Sequence, residues 1–152
     1  MNWRQQGTIW RISPPQPIGQ VDFIGGSYLA ATPQVSYRRL LEDLGKAGLA
    51  VNAWAYVPGF DHQSQAREAW TAFRTARREL EERHGSLPTP LRLGHSLGCK
   101  LHLLAPDGGR NSSGLVALST GKAAIMTTGQ PQHRWYTVSG PPPHCEQSFV
   151  PW

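Results

Sequence analysis

The sequence predicts a three-layer α/β fold, with helices on both faces of a mostly parallel sheet. Three observations predict it. Short apolar runs near residues 21–24, 49–56, 91–95 and 114–119 alternate with helix-period segments near 36–47, 63–84 and 97–104. Alternation of this kind builds βαβ units with right-handed crossovers. The runs are apolar at most positions, as in strands covered on both faces. One of them, Leu91-Arg92-Leu93-Gly94-His95, passes into a helix through the glycine-flanked turn Gly94-His95-Ser96-Leu97-Gly98.

In chain order, Gly7–Ile12 alternates and predicts a first edge strand. Pro14, Pro15 and Pro17 end it, since proline cannot sustain a ladder. Val21-Asp22-Phe23-Ile24 predicts a buried strand running into Gly25-Gly26-Ser27, where the missing Cβ atoms let a ligand approach the backbone. Ser36 suits a helix cap. Tyr37, Leu40, Leu41, Leu44 and Ala47 form the apolar stripe behind it, and Gly48 ends the helix. Leu49–Tyr56 is the next strand and Val57–His62 the loop after it. Over residues 63–84, Ala66, Ala69, Trp70, Phe73, Ala76 and Leu80 recur at three- and four-residue steps, with the charged side chains mainly on the opposite, solvated face. Pro106-Asp107-Gly108-Gly109 is a turn, and Gly114–Ser119 is a further strand.

The turn at Ser96 matches the G-x-S-x-G nucleophile elbow. The bare pattern is weak, but a strand before it and a helix after it are the context it requires. Gly94 and Gly98 leave room where the two arms of the turn converge. Ser96 is then the candidate nucleophile, at a helix N-terminus whose unpaired N–H groups favour negative charge. An acyl-transferring site also needs donors for an oxyanion. The N–H of Leu97 is the first candidate, and that of Gly26 or Ser27 the second. Ligands on parallel sheets bind beyond the C-terminal strand ends. Gly25–Ser27, Val57–His62 and Ser96 all fall there, so Asp61 and His62 are candidates to line a pocket or to act as acid and base. A helix cap is the other reading of Asp61. His95 is read as structural.

The acid and base normally follow the serine in the order Asp or Glu, then His. Here only Asp107 and Glu146 follow as carboxylates, and Asp107 reads as a turn residue about 12 Å away along the helix. His102 reads as a packed or surface histidine, while His133 and His144 lie in an atypical tail. Two readings therefore compete: an esterase- or lipase-like serine hydrolase that lacks its downstream acid and His, or a non-catalytic fragment or binding protein of the same fold.

With 152 residues, 39% hydrophobic and 16% charged, the chain fits one globular domain. Its net charge of +5 comes from scattered basic residues interleaved with glutamates, a solvated basic surface and not a nucleic-acid footprint. No apolar run is long enough for a membrane span, and Met1–Gln6 has no signal-peptide core, which predicts a cytoplasmic protein. Cys99 and Cys145 lack metal-ligand spacing, and no dinucleotide or P-loop motif is present, so no cofactor is expected. The expected partner is a small ester-like or lipid substrate.

Taken together, Phe23-Ile24-Gly25-Gly26, Tyr37-Arg38-Arg39-Leu40-Leu41-Glu42, Phe60-Asp61-His62 and Gly94–His102 resemble an alpha/beta-hydrolase-like family of cyanobacteria and plastids, known as a domain of unknown function. The resemblance covers residues 3–119 and implies an alpha/beta-hydrolase fold without a defined substrate. It divides the chain into a hydrolase-like domain over 1–119 and an irregular tail over 120–152. That tail carries only Lys122, Arg134 and Glu146 as charged residues and prolines at 131, 141, 142, 143 and 151. The family pattern continues with more strands and helices, so the sheet is expected to be incomplete at its C-terminal side, with the tail a shifted reading frame or a truncated end.

Overall fold

A computed structural model describes residues 1–119 together with two later strands, 122–127 and 134–138. The described elements are β1 (Arg4–Gln6), β2 (Ile9–Ile12), β3 (Gly19–Ile24), α1 (Pro33–Ser36), α2 (Arg38–Lys46), β4 (Leu49–Trp54), α3 (His62–His84), β5 (Leu91–His95), α4 (Leu97–Leu103), β6 (Gly114–Ser119), β7 (Lys122–Thr127) and β8 (Arg134–Val138). They form one sheet in the order β1-β2-β4-β3-β5-β6-β7-β8. The four central strands, β4, β3, β5 and β6, are parallel, as the alternating pattern predicts. The flanking strands pair antiparallel. At the N-terminal edge, the predicted single strand is a hairpin turned by Gly7 at φ 56°.

The sheet separates two cores, which gives the three layers. On one face Val21, Phe23, Val51, Ala53 and Leu93 meet Leu41 of α2. On the other, Ile24 and Trp54 meet Ala66, Ala69, Phe73 and Ala76 of α3 and Leu101 of α4. Alternate residues of β3 serve opposite faces because the strand period is two. The 23-residue α3 buries one stripe only, with Ala66, Ala69, Phe73, Ala76 and Leu80 inside.

A polar row crosses this apolar sheet. Arg11 of β2 lies opposite Asn52 of β4, Asn52 opposite Asp22 of β3, and Asp22 opposite Arg92 of β5. Asn52 Nδ2 donates to Asp22 Oδ1 at 3.1 Å, and Arg11 Nε donates to Asn52 Oδ1 at 2.8 Å. At one end Arg11 reaches the Ala76 carbonyl and Glu79 of α3. At the other, Arg92 makes a two-pronged pair with Asp107 beyond α4, at 2.9 and 2.6 Å. The row ties the helical layer to the sheet.

Within the stretch expected to be irregular, β7 and β8 continue the sheet as an antiparallel meander beside β6. Antiparallel strands need no crossover helix and no continuous apolar run, only a neighbouring ladder to pair with. The remainder of 120–152, including Cys145, His133, His144 and Glu146, lies outside the described residues.

Candidate active site

The chain leaves β3 toward α2 on one face of the sheet and leaves β5 into α4 on the other. Adjacent parallel strands whose connections diverge in this way leave a crevice at their carboxyl ends. Ser96 and the Gly25–Ser27 loop face each other across it.

Ser96 is solvent-exposed and joins β5 to α4 with φ 53° and ψ −116°. Among the described residues it is the only non-glycine residue with positive φ. Such a conformation carries strain of order 1–3 kcal/mol, which the surrounding packing must hold. The glycines around it explain how the turn closes. A Cβ on Gly94 would lie 2.6 Å from the backbone nitrogen of Cys99, and one on Gly98 would overlap the carbonyl oxygen of Ile24. The elbow is therefore wedged onto the end of β3. On its other side the Ser96 N–H donates to the Leu118 carbonyl of β6 at 3.1 Å.

The Gly25–Ser27 loop comes equally close. A Cβ on Gly26 would lie 3.3 Å from Ser96 Cβ and 2.8 Å from His95 Nδ1. The Gly26 N–H, however, donates to the Tyr37 hydroxyl at 2.9 Å. The N–H groups of Ser27 and Leu97 have no hydrogen-bond partner among the described residues. Ser27 is exposed, and Leu97 is the first residue of α4, where no intrahelical acceptor exists. Of the sequence-derived donors, two are thus free and Gly26 is engaged.

His95 is half-buried and points to the α2 face, with Nδ1 2.8 Å from the Tyr37 hydroxyl. The Asp61 carboxylate caps α3 by accepting from the Ser64 N–H at 2.9 Å, the role sequence reasoning gave as its alternative. His62 follows on the first turn of α3. Asp107 is held by Arg92 and also accepts from the N–H groups of Gly109 and Asn111. Its own burial is outweighed by these contacts, and its carboxyl is held below the usual range. His102 is buried with Nε2 3.2 Å from the Leu93 carbonyl. Burial, together with the Arg92 charge, lowers its pKa to about 3. Neither residue is disposed toward Ser96. Burial pushes the Cys99 thiol up, so it stays protonated beside the serine.

Sequence reasoning missed Tyr37. Helical spacing places it on an apolar stripe, but the helix breaks there into α1 and α2, and its hydroxyl meets His95 beside Ser96. A cavity of about 220 Å³ between α3, α4 and the sheet, lined by Asp22, Phe73, Arg92 and His102, does not include Ser96. No helix among the described residues is long and apolar enough to cross a membrane.

The sheet order and the helical layers on its two faces make an alpha/beta-hydrolase-like fold. The chain belongs to the family described as protein of unknown function DUF1350, which matches residues 2–120. No match is found among curated proteins. Among solved structures, it is similar to esterase B from Lactobacillus rhamnosis, captured with a tributyrin phosphonate, at 21% identity and TM-score 0.51, covering 61% of this chain and 32% of that one. It is also similar to esterase Est22, at 18% identity and TM-score 0.54, over 70% of this chain and 37% of that one. A Silicibacter sp. TM1040 protein provisionally named a thioesterase matches at 20% identity and TM-score 0.53, over 70% and 42%. These likenesses establish the fold. The chain spans about a third to two fifths of the length of those structures.

Proposed function

We propose that the chain carries the nucleophile side of a serine hydrolase acting on small or lipid-like esters. One observation carries the reading: among the described non-glycine residues only Ser96 has a positive φ, at 53°, on an exposed strand-to-helix turn. Strain of that kind is kept where a side chain must be presented. In this reading Ser96 Oγ attacks the ester carbonyl carbon and gives up its proton to a base. The alcohol then leaves with a proton, and water cleaves the acyl-serine. The Leu97 and Ser27 N–H groups take the developing oxyanion, each worth about 2.7–4 kcal/mol in comparable sites.

With Asp61 capping α3, His62 is the member of that pair left to take the proton. The loops at this sheet edge carry Tyr28, Leu29, Val57 and Phe60 as exposed apolar side chains, which favours an apolar acyl group. One observation favours the alternative, a non-catalytic chain of the same fold: Asp107 and His102, the described acid and histidine downstream of the serine, are both committed to other contacts.

A fluorophosphonate probe tests the reading. Labelling of the folded chain that disappears in Ser96→Ala, and slows in His62→Gln, is the expected result. A folded chain that stays unlabelled defeats it.

A further inference from the structure

We infer that Tyr37 is a positioning residue for the oxyanion loop, its hydroxyl clamping Gly25–Ser27 against the elbow. The inference rests on the reading of Ser96 as nucleophile. Three segments distant in sequence meet at this one oxygen. It accepts the Gly26 N–H at 2.9 Å, it lies 2.8 Å from His95 Nδ1, and it belongs to the residue that joins α1 to α2. His95 in turn is the residue directly before Ser96.

The ring itself is held in place. It packs edge-on against Phe23 at 4.6 Å between centroids and against His95 at 5.7 Å. A Cβ on Gly25 would stand 2.8 Å from its Cε2 atom. The two glycines therefore serve this contact: Gly25 admits the tyrosine ring, and Gly26 admits the His95 ring and Ser96.

A phenol hydroxyl has one proton and two lone pairs. The Gly26 N–H uses one lone pair, and the bond with His95 uses either the proton or the other lone pair. A single oxygen thus fixes the Gly26 peptide and the residue before the nucleophile at once. With Gly26 committed, the next N–H along the loop, that of Ser27, is the one left for a substrate oxygen. Tyr37 selects the donor and holds its distance from Ser96. Removing the hydroxyl releases the Gly26 N–H and unpins the loop without removing the ring.

The test uses the full chain and the concentration dependence of fluorophosphonate labelling, which separates probe binding from the covalent step. Tyr37→Phe is expected to melt close to the parent and bind the probe equally, yet to slow the covalent step by about 10- to 100-fold, somewhat less than losing a donor outright. In a His95→Gln background the same substitution should do much less, because the two side chains act as a unit. Phe23→Leu, which loosens the ring packing but leaves the hydroxyl, controls for a merely structural role. If it slows the covalent step as much as Tyr37→Phe, the positioning role is overturned. Unchanged or faster labelling of Tyr37→Phe overturns it too, while leaving Ser96 as nucleophile. A folded parent that is not labelled removes both, since no reactive serine is then present to be served.

Discussion

Gly98 sits so close to the end of β3 that a Cβ on it would overlap the Ile24 carbonyl oxygen. The obstacle is backbone against backbone, so no side chain can rotate to relieve it. Gly98→Ala must push α4 off the sheet, carrying Ser96 with it. Overpacking in a close-packed interior costs about 1–3 kcal/mol and sometimes more. Urea denaturation should place Gly98→Ala at or above the top of that range. Gly59→Ala is the control, because its Cβ would meet nothing nearer than 3.7 Å. That substitution should stay within about 0.5 kcal/mol of the parent.

The Ser96 backbone yields a second prediction. A left-handed φ costs an L-residue about 1–2 kcal/mol and glycine nearly nothing. Ser96→Gly and Ser96→Ala both remove the hydroxyl, but only glycine relaxes the turn. Ser96→Gly should therefore be more stable than Ser96→Ala by about 1 kcal/mol, read from denaturation midpoints at equal slope. Equal midpoints would mean that the turn is not strained.

The tight strand-to-helix turn at Ser96 was legible because its steric demands are local. Gly94 and Gly98 flank the serine within five residues, and the apolar strand and helix adjoin them. The Gly25–Ser27 loop was legible for the same reason, through two consecutive glycines after a buried strand. Tyr37 was not, because an aromatic at helical spacing looks like core, and nothing local marks the break between α1 and α2. That the Gly26 N–H is engaged depended on that same missed hydroxyl. The polar row was hidden differently. Asp22, Asn52 and Arg92 each stand between two apolar neighbours, and only the register of β3, β4 and β5 brings them side by side. Likewise β7 draws on pairing with β6 and β8 on pairing with β7, which no local period announces.

Arg92 and Asp107 are both nearly excluded from solvent, at 6% and 8% exposure, and bind each other through two contacts. Removing one charge from such a pair costs about 3–5 kcal/mol, because the other remains buried and uncompensated. Asp107→Asn keeps the shape and an oxygen for the Gly109 N–H, so its loss measures the charge. The double variant Arg92→Met, Asp107→Asn should be closer to the parent than Asp107→Asn alone. Equal losses would mean that the Arg92 charge finds another partner.

Asp22 and His102 make the last prediction, on pH. Burial, opposed by the hydrogen bonds from Gln20 and Asn52, raises the Asp22 pKa from 3.8 to about 6. A raised folded-state pKa gives stability that is full below 3.8 and lost as pH rises to about 6. Burial and Arg92 lower the His102 pKa from 6.5 to about 3. This lowered value acts in the opposite direction, since the unfolded chain takes up the proton first, and stability falls as pH drops from 6.5 toward 3. Between about pH 4 and 6 the folded chain keeps its proton on Asp22 and the unfolded chain keeps its proton on His102. The proton counts match, so the pair contributes no slope. Asp22→Asn keeps an acceptor for Gln20 and Asn52 but removes one side of this balance. Relative to the parent, its stability should rise by about 1.4 kcal/mol per pH unit across that window. His102→Gln should show the opposite slope. Urea denaturation of the three proteins at several pH values checks both signs, and parallel curves would mean that neither group is shifted on folding.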